Sequence, residues 1–338
     1  MGFFNLFSTD IAIDLGTANT LIYIKGKGIV LNEPSIVAFD RSSKKIIALG
    51  NKAKEMQGRE HREIRVSRPM RDGVIADFEI AEGMIRAFIK RVSAGSLSSR
   101  RIVVAVPSGV TEVEKRAVRD SAEHAGAKEV HLIAEPMAAA IGVGIEVEAP
   151  IGNMIIDIGG GTTEIAVIAL AGIVNEESIR IAGDEMNNAI MQFFKKNYNL
   201  LIGERTAERI KIEVGAAMTE IDDPPDDYAV HGRDMLTGIP KEITVNYAEI
   251  AHSLDKSISK IETAVLNALE MTPPELSADI YRTGIYLAGG GSMLRGLSER
   301  LHLKTKLPVH VAEDPLRAVA RGTGIALKNF DKFPFLIK

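Results

Sequence analysis

Residues Ile13-Asp14-Leu15-Gly16-Thr17-Ala18-Asn19-Thr20 and Ile156-Asp157-Ile158-Gly159-Gly160-Gly161-Thr162-Thr163 align position by position. Each stretch follows an apolar run, Ile11 to Ile13 and Met154 to Ile156, and precedes another, Leu21 to Ile24 and Ile165 to Leu170. The pattern predicts strand, tight turn, strand, built twice, once near the start of each half of the chain. Glycine is needed in such turns because the backbone must take φ > 0 or pass very close to another group. Small Thr, Ala and Asn side chains leave several N–H groups pointing into open space, which suits phosphate. An Asp at the end of each first strand would sit beside that anion, tolerable only with a cation between them. Two facing turns with one Asp each therefore imply a Mg²⁺-bound polyphosphate clamped between two similar domains.

A chain of 338 residues fits two domains better than one small core. Its 46% apolar and 25% charged content is that of an ordinary globular protein. A net charge of −4 argues against non-specific nucleic-acid binding, which needs a basic surface. Without cysteine there are no disulfides and no Cys-based zinc sites, and the seven histidines show no close metal-binding spacing. The longest apolar run, Ile165 to Val174, is about half of what crosses a bilayer and reads as a buried strand. No secretory signal is visible, so a cytoplasmic location is expected.

Along the chain, strand patterns alternate with helical ones, the signature of α/β layers. Asn32 to Ser35 is expected to interrupt the early strands, which resume at Ile36 to Phe39. Residues 40 to 70 are polar. Arg59, Arg62, Arg65 and Arg68 recur every third position with Glu60 and Glu63 among them, reading as a solvated or interdomain face. Apolar spacing predicts a helix over 80–92. A Thr111/Glu114 capping box opens another that ends at Gly126. Strands are expected at 102–106 and 130–134, and Glu135-Pro136 then begins a helix. In the second half, helices are expected near 184–198, 206–218, 248–269 and 315–329, and strands at 243–245, 284–288 and 309–312.

A third glycine turn, Gly289-Gly290-Gly291-Ser292, also follows a strand. One such turn is weak evidence, since Gly after a strand is commonly only a turn. Two copies of the Ile-Asp motif plus a third turn make phosphate contact the stronger reading. No G-x-x-x-x-G-K-[ST] occurs, and Gly289-x-Gly291 lacks the spacing of a dinucleotide fingerprint.

The paired turns, the Glu135-Pro136 helix, the Gly289 turn and the closing Ala318-Val319-Ala320-Arg321-Gly322 helix together resemble the five-part ATP site of the actin, DnaK-chaperone and sugar-kinase superfamily. Longer strings are similar to the bacterial actins of the MreB family over nearly the whole chain. These are Asp14 to Thr20, Arg68-Pro69-Met70-Arg71-Asp72-Gly73-Val74-Ile75-Ala76-Asp77, Glu135 to Gly142, Ile181 to Met186 and Gly203 to Glu208. The resemblance implies an actin-like (ribonuclease H-like) α/β fold, a duplicated two-domain ATPase with four subdomains. Residues 1–36, 71–149 and 319–338 would form IA and 37–70 IB. Residues 150–185 and 249–318 would form IIA and 186–248 IIB.

The resemblance also implies roles. Gly16, Thr17, Ala18 and Asn19 would hold the β-phosphate of ATP, and Gly159, Gly160, Gly161, Thr162 and Thr163 the γ-phosphate. Asp14 and Asp157 would hold Mg²⁺, through its waters because Mg²⁺ dehydrates reluctantly. Glu135 would orient or deprotonate the attacking water, with Thr162 assisting. Read on its own, Glu135 is equally an acid favoured by a helix N-terminus. Glu208 and Lys211, one helical turn apart, would embrace the adenosine opposite Gly289, Gly290, Gly291 and Ser292; alone they are an ordinary surface ion pair.

Phe3, Phe4, Leu6 and Phe7 crowd apolar bulk into a terminus. They read either as a short amphipathic membrane anchor or as a terminus packed on its own domain. Arg100 and Arg101 would meet anionic headgroups, while Leu97 alone makes a poor apolar second anchor. The family implies polar protofilaments pairing antiparallel at the inner-leaflet membrane lipids, organising lateral cell-wall synthesis and rod shape. Its partners would be MreC, MreD, RodZ and cell-wall elongation enzymes. The rival expectations are a small-molecule kinase, a chaperone ATPase and a non-hydrolysing scaffold. No insertion near the cleft favours the first and no substrate-binding domain the second, and intact Asp14, Glu135 and Thr162 disfavour the third.

Overall fold

The two copies of the strand–turn–strand motif become the centres of two sheets with one topology. The computed structural model describes residues 10–92, 101–330, 333 and 336. The first copy supplies β1 (Ile11–Leu15) and β2 (Asn19–Ile24), and β3 (Gly28–Pro34) extends the antiparallel meander. Next come β4 (Val37–Asp40), β5 (Ile46–Leu49), α1 (Asn51–Met56) and β6 (Ile64–Ser67), with β4 central in a small sheet. The hairpin β7 (Met70–Arg71) and β8 (Val74–Ile75) leads into α2 (Phe78–Val92). β9 (Arg101–Val106), α3 (Glu112–His124) and β10 (Glu129–Ala134) complete the first large sheet, and α4 (Glu135–Val143) leaves its edge.

The second half repeats the plan with β11 (Asn153–Ile158), β12 (Thr163–Ala169) and β13 (Gly172–Ile179). α5 (Gly183–Tyr198), β14 (Leu200–Leu201), α6 (Glu204–Val214), β15 (Tyr228–Asp234) and β16 (Pro240–Val245) follow, the three strands pairing in order. α7 (Tyr247–Glu270), α8 (Pro274–Thr283), β17 (Ile285–Ala288), α9 (Leu297–Thr305), β18 (Val309–Val311) and α10 (Ala318–Lys328) close the chain. The large sheets run β3-β2-β1-β9-β10 and β13-β12-β11-β17-β18. In both, an antiparallel meander is joined by two parallel strands on the side of its first strand.

Alternation along the central strands sorts side chains into three cores. Ile11, Ile13 and Leu15 pack with α2 residues in the first half, and Ile156, Ile158 and Ile165 pack with α7 residues in the second. The opposite faces meet in a shared core of Ala12, Ala105, Ile155, Ala166 and Ile168 with the small residues of α4 and α10. Those helices cross very closely. A Cβ on Gly142 would fall on the Ala318 carbonyl, and one on Gly322 on the Ala138 carbonyl. Asp14 and Asp157 occupy the same strand faces as Ala12 and Ile155, so both carboxylates point to the cleft between the halves.

Several expectations need correction. Ile165 to Val174 is not one strand: Ala169 pairs with Gly172 across a two-residue turn, Leu170 and Ala171, at φ 52° and 58°. Leu-Ala carries none of the usual turn chemistry, so the hairpin was hidden. Asn32 to Pro34 continues β3, and the break falls at Ser35. Residues 40 to 70 hold β5, α1 and β6. α6 starts at Glu204 and stops at Val214, because a continuing helix would lose the bridge of Ala216 to Arg295. Pro315–Arg317 is a 3₁₀ turn before α10. The Thr111/Glu114 box is present, and α7 opens with a second, Asn246 with Glu249, that pattern reading missed.

Candidate functional site

The two glycine turns face each other across the cleft at contact distance. A Cβ on Gly160 would lie 2.6 Å from the Ala18 Cβ, and one on Gly161 2.8 Å from Thr17 Oγ1. Each turn is tied from behind. The Ser35 hydroxyl donates to the Gly16 carbonyl at 2.6 Å, and the Thr163 hydroxyl to the Ile181 carbonyl at 2.7 Å. The N–H groups of Thr17, Ala18, Gly160 and Gly161 donate to no other group among the described residues. Orphan donors in facing turns are the chemistry of an anion site.

The β7–β8 turn is wedged between them. Gly73 N–H donates to Thr17 Oγ1 at 3.0 Å, and Asp72 N lies 2.9 Å from where a Gly161 Cβ would be. Asp72 and Gly73 both adopt positive φ, 50° and 77°, as this tight reversal requires.

Four carboxylates converge on the cleft floor. Asp14, one residue before the end of β1, is only partly buried overall, yet burial of its carboxylate raises its pKa to about 7. Burial first, then the charges of Asp14 and Glu164, raise Asp157 to about 8. Glu135, at the start of α4, is pushed well above the ordinary range by burial, then by Glu164, Asp14 and Asp157. Glu164 is also raised, chiefly by burial. Among the described residues no Lys or Arg pairs with any of the four. Mutually repelling buried acids with no cationic side chain fit a divalent cation that supplies the missing charge. Among the described residues no three acids or histidines stand close enough to form a metal cage.

The third turn joins this floor. Gly289, at φ 78°, packs directly on the Asp157 carboxylate and the Ile158 carbonyl, and Gly291 on Ile158. The Ser292 hydroxyl donates to the Gly289 carbonyl at 2.7 Å, which locks the turn and leaves its backbone as the surface it can offer. Lys211 Nζ donates to the Gly183 carbonyl at 2.8 Å, beside Gly159 and Gly160; burial lowers its pKa to about 8. Glu208 faces the opposite wall. Burial opposes its charge, but its ion pair with Lys54 at 2.8 Å holds its pKa below the ordinary range. The structure therefore gathers Asp14, Gly16 to Asn19, Glu135, Asp157, Gly159 to Thr163, Lys211 and Gly289 to Ser292 around one cleft, with Glu208 at its mouth.

Residues outside the sequence-based set also reach it. Arg68 crosses the cleft to Asp184 at 2.8 Å and Glu204 at 3.1 Å, so that position of the Arg series is interdomain. Gln57 donates to Glu204 at 3.0 Å. Only aligning the two motif copies beyond their threonines singles out Glu164, as the acid standing where the first copy has Leu21. Arg101 pairs with Glu129 at 3.0 Å and stacks on Phe330, so it is not a free headgroup ligand. Phe3, Phe4, Leu6, Phe7 and Arg100 lie outside the described residues.

Comparison with known proteins gives one answer. The family model for MreB/Mbl protein matches residues 8–334. The chain is 52% identical over 335 residues to the cell shape-determining protein MreB of Escherichia coli K12, covering 97% of this chain and 96% of that one. It is 49% identical over 330 residues to Mbl of Bacillus subtilis 168, covering 97% and 98%. The crystal structure of MreB5 of Spiroplasma citri bound to AMPPNP matches with a TM-score of 0.91 at 39% identity, over 96% of this chain and 97% of that one. The same protein bound to ADP gives 0.92 at 39% identity, over 96% and 98%.

Proposed function

The chain belongs to the MreB/Mbl family and has its actin-like fold, and on that premise we propose that it is an ATPase whose ATP-bound, closed form assembles into membrane-associated filaments. The observation that carries this is the pair of aspartates with raised pKa, Asp14 and Asp157, one behind each of two facing turns with free N–H groups. The crystallised relative binds AMPPNP and ADP, which supports the same ligand class here.

In this reading Gly16 to Asn19 hold the β-phosphate and Gly159 to Thr163 the γ-phosphate through backbone N–H groups. Side chains of Thr17 and Thr163 are committed to Gly73 and Ile181, so they shape the turns. Asp14 and Asp157 would hold a Mg²⁺, which would supply the positive charge that phosphoryl transfer needs. Glu135 orients the attacking water and takes its proton, a role for which a raised pKa suits a carboxylate. Thr162 assists Glu135 in this reading. Lys211, Glu208 and the backbone of Gly289 to Ser292 surround the adenosine. The four-subdomain division, with IB and IIB walling the cleft mouth, belongs to the same reading.

Head-to-tail contact of closed molecules is heterologous and does not close into a ring, so it builds filaments. A short apolar segment, Phe3 to Phe7, binds a bilayer weakly as one copy and firmly when a polymer presents many. Antiparallel pairing, the inner face of the cell membrane, a role in lateral wall synthesis and rod shape, and the partners MreC, MreD, RodZ and the elongation enzymes complete the proposal. Among the described residues no helix is long and apolar enough to cross a membrane.

The test is electron microscopy of the purified protein on anionic vesicles, with Mg-ATP and without nucleotide, beside a chain lacking residues 1–8 and beside Glu135→Ala. Paired filaments on lipid with ATP are expected from the intact chain. Filaments off the lipid are expected after deletion, and assembly without phosphate release from Glu135→Ala. Monomers under every condition would refute the reading.

A further inference from the structure

Ser35 stands where the early strands break, and both of its donors are spent on the first glycine turn. It follows β3 directly and is fully buried. Its hydroxyl donates to the Gly16 carbonyl at 2.6 Å, and its N–H to the Ala18 carbonyl at 2.9 Å. The buried Thr20 hydroxyl lies 2.9 Å from the same serine oxygen. A serine hydroxyl has a single proton, and here it goes to Gly16, so Thr20 donates the second bond. The result is a one-way chain of donors from Thr20 through Ser35 to Gly16.

A trans peptide unit is planar and points its C=O and N–H in opposite directions. The Gly16 carbonyl shares its unit with the Thr17 N–H, a donor without a partner among the described residues. Pinning that carbonyl behind the turn therefore turns the Thr17 N–H toward the cleft. The second turn has the same arrangement built from other parts. Gly159 is the counterpart of Gly16, and its carbonyl accepts from Gly183 N–H at 3.2 Å, while the Gly160 carbonyl accepts from Asp184 N–H at 2.7 Å. The N–H groups of Gly160 and Gly161, in the same two peptide units, are left free among the described residues. The start of α5 does this with backbone, and Ser35 does it in the first turn with one hydroxyl and one N–H. Changing one side chain thus loosens the first turn and leaves the second intact.

We propose that Ser35 is a positioning residue for the β-phosphate: it holds the Gly16 and Ala18 carbonyls behind the first turn and thereby aims the Thr17 N–H at the phosphate oxygens. The proposal rests on the assignment of that turn to the β-phosphate of ATP. ADP carries the same group, so the brace serves both nucleotides equally. Thr20 strengthens the chain by polarising Ser35 but does not set the direction of the Gly16 carbonyl.

The experiment measures affinities of the full chain for Mg-ATP and Mg-ADP by displacement of a fluorescent ATP analogue, with thermal stability beside them. It compares wild type with Ser35→Ala, Ser35→Cys and Thr20→Val. Ser35→Ala should weaken ATP and ADP binding by the same factor, roughly tenfold. Ser35→Cys keeps a weak donor in the same place and should fall between Ser35→Ala and wild type. Thr20→Val removes a buried hydrogen bond of the same pair but leaves Gly16 pinned. It should lower thermal stability as Ser35→Ala does, while both affinities stay within about twofold of wild type. Phosphorus NMR of bound ADP should show the β resonance displaced in Ser35→Ala and the α resonance in place. If Ser35→Ala does not fold, Ser35→Cys carries the test, with a loss shared by ATP and ADP expected. A loss confined to ATP would overturn the role, and so would equal weakening in the serine variant and Thr20→Val. A wild-type chain that binds neither nucleotide overturns the ATPase reading and this role with it. Wild-type binding of both nucleotides matched by the serine variants overturns this role alone.

Discussion

Gly142 of α4 and Gly322 of α10 meet backbone to backbone. Neither position has room for a Cβ, because each would strike a carbonyl of the other helix, Ala318 for Gly142 and Ala138 for Gly322. These two helices fill the shared core between the large sheets. α4 begins at Glu135, so the helix crossing fixes where that carboxylate enters the cleft. Close helix approach, which elsewhere serves only packing, here sets the depth of a site residue.

Gly322→Ala should therefore be among the most damaging single-methyl changes in the chain. Overpacking of this kind costs about 1–3 kcal/mol and more when the obstacle is backbone. Urea unfolding should place Gly322→Ala at least about 3 kcal/mol below wild type. Gly172→Ala is the control. Its Cβ would meet only the Ala169 carbonyl at 3.7 Å, and it should stay within about 1 kcal/mol of wild type. Equal losses in the two variants would show that the crossing is not special.

Arg68 joins the small sheet's side of the cleft to Asp184 and Glu204, both in first turns of helices on the far side. Its side chain is 16% exposed, so these pairs are partly shielded from solvent. Arg68→Ala leaves two acids without their partner and should cost about 1–3 kcal/mol. Without nucleotide, the variant should also show a larger radius of gyration in solution scattering. High salt should narrow its difference from wild type by screening the wild-type pairs. A variant as compact as wild type in low salt would mean the pairs do not hold the cleft.

The raised acids make a signed prediction about pH. Asp14 and Asp157 titrate near 3.8 when unfolded and at about 7 and about 8 when folded. Between those values the folded chain keeps protons that the unfolded chain has released, so rising pH favours unfolding. Nucleotide-free protein should lose stability steadily from about pH 4 to about pH 8 and level off above. Mg-ATP favours the ionised forms and should flatten that slope. Chemical denaturation across this range, with and without Mg-ATP, measures both. Stability that rises with pH without nucleotide would contradict the burial of these carboxylates.

What was legible in the sequence follows from what was duplicated or periodic. The paired Ile-Asp-x-Gly turns gave both sheet centres, 3.6-residue spacing gave α2 and α7, and a capping box gave α3, because each signal is local. Glu164 was not legible as chemistry, since its meaning lies in Ser108 and Ser178, far away in sequence. Arg68 stood inside a quoted string, but its partners Asp184 and Glu204 come from another sheet's helices. The β12–β13 hairpin was hidden for the opposite reason: a Leu-Ala turn at positive φ is held by strand pairing, against local preference. Thr163 and Ser292 were expected to contact nucleotide, yet their hydroxyls donate inward to backbone carbonyls. Direction of a hydroxyl is a tertiary fact.

Lys211 links α6 to the second glycine turn. Its ammonium donates to the Gly183 carbonyl at 2.8 Å, and Gly183 N–H in turn donates to the Gly159 carbonyl at 3.2 Å. Burial costs the charge and lowers the pKa to about 8, while Glu208 and Asp184 partly restore it. A cation held in this way attracts a polyphosphate and also sets the position of the turn beneath it. Lys211→Met keeps most of the volume and removes the charge. It should weaken ATP-analogue binding by roughly tenfold, about 1.4 kcal/mol, with little change in kcat among saturated molecules. The sign with pH follows from the lowered value. Wild-type affinity should hold below about pH 8 and fall above it as the amine loses its proton, whereas Lys211→Met should lack that fall. Titrating the fluorescent analogue from pH 7 to 9.5 against both proteins separates the outcomes. If the two curves run parallel, the charge of Lys211 plays no part in holding nucleotide.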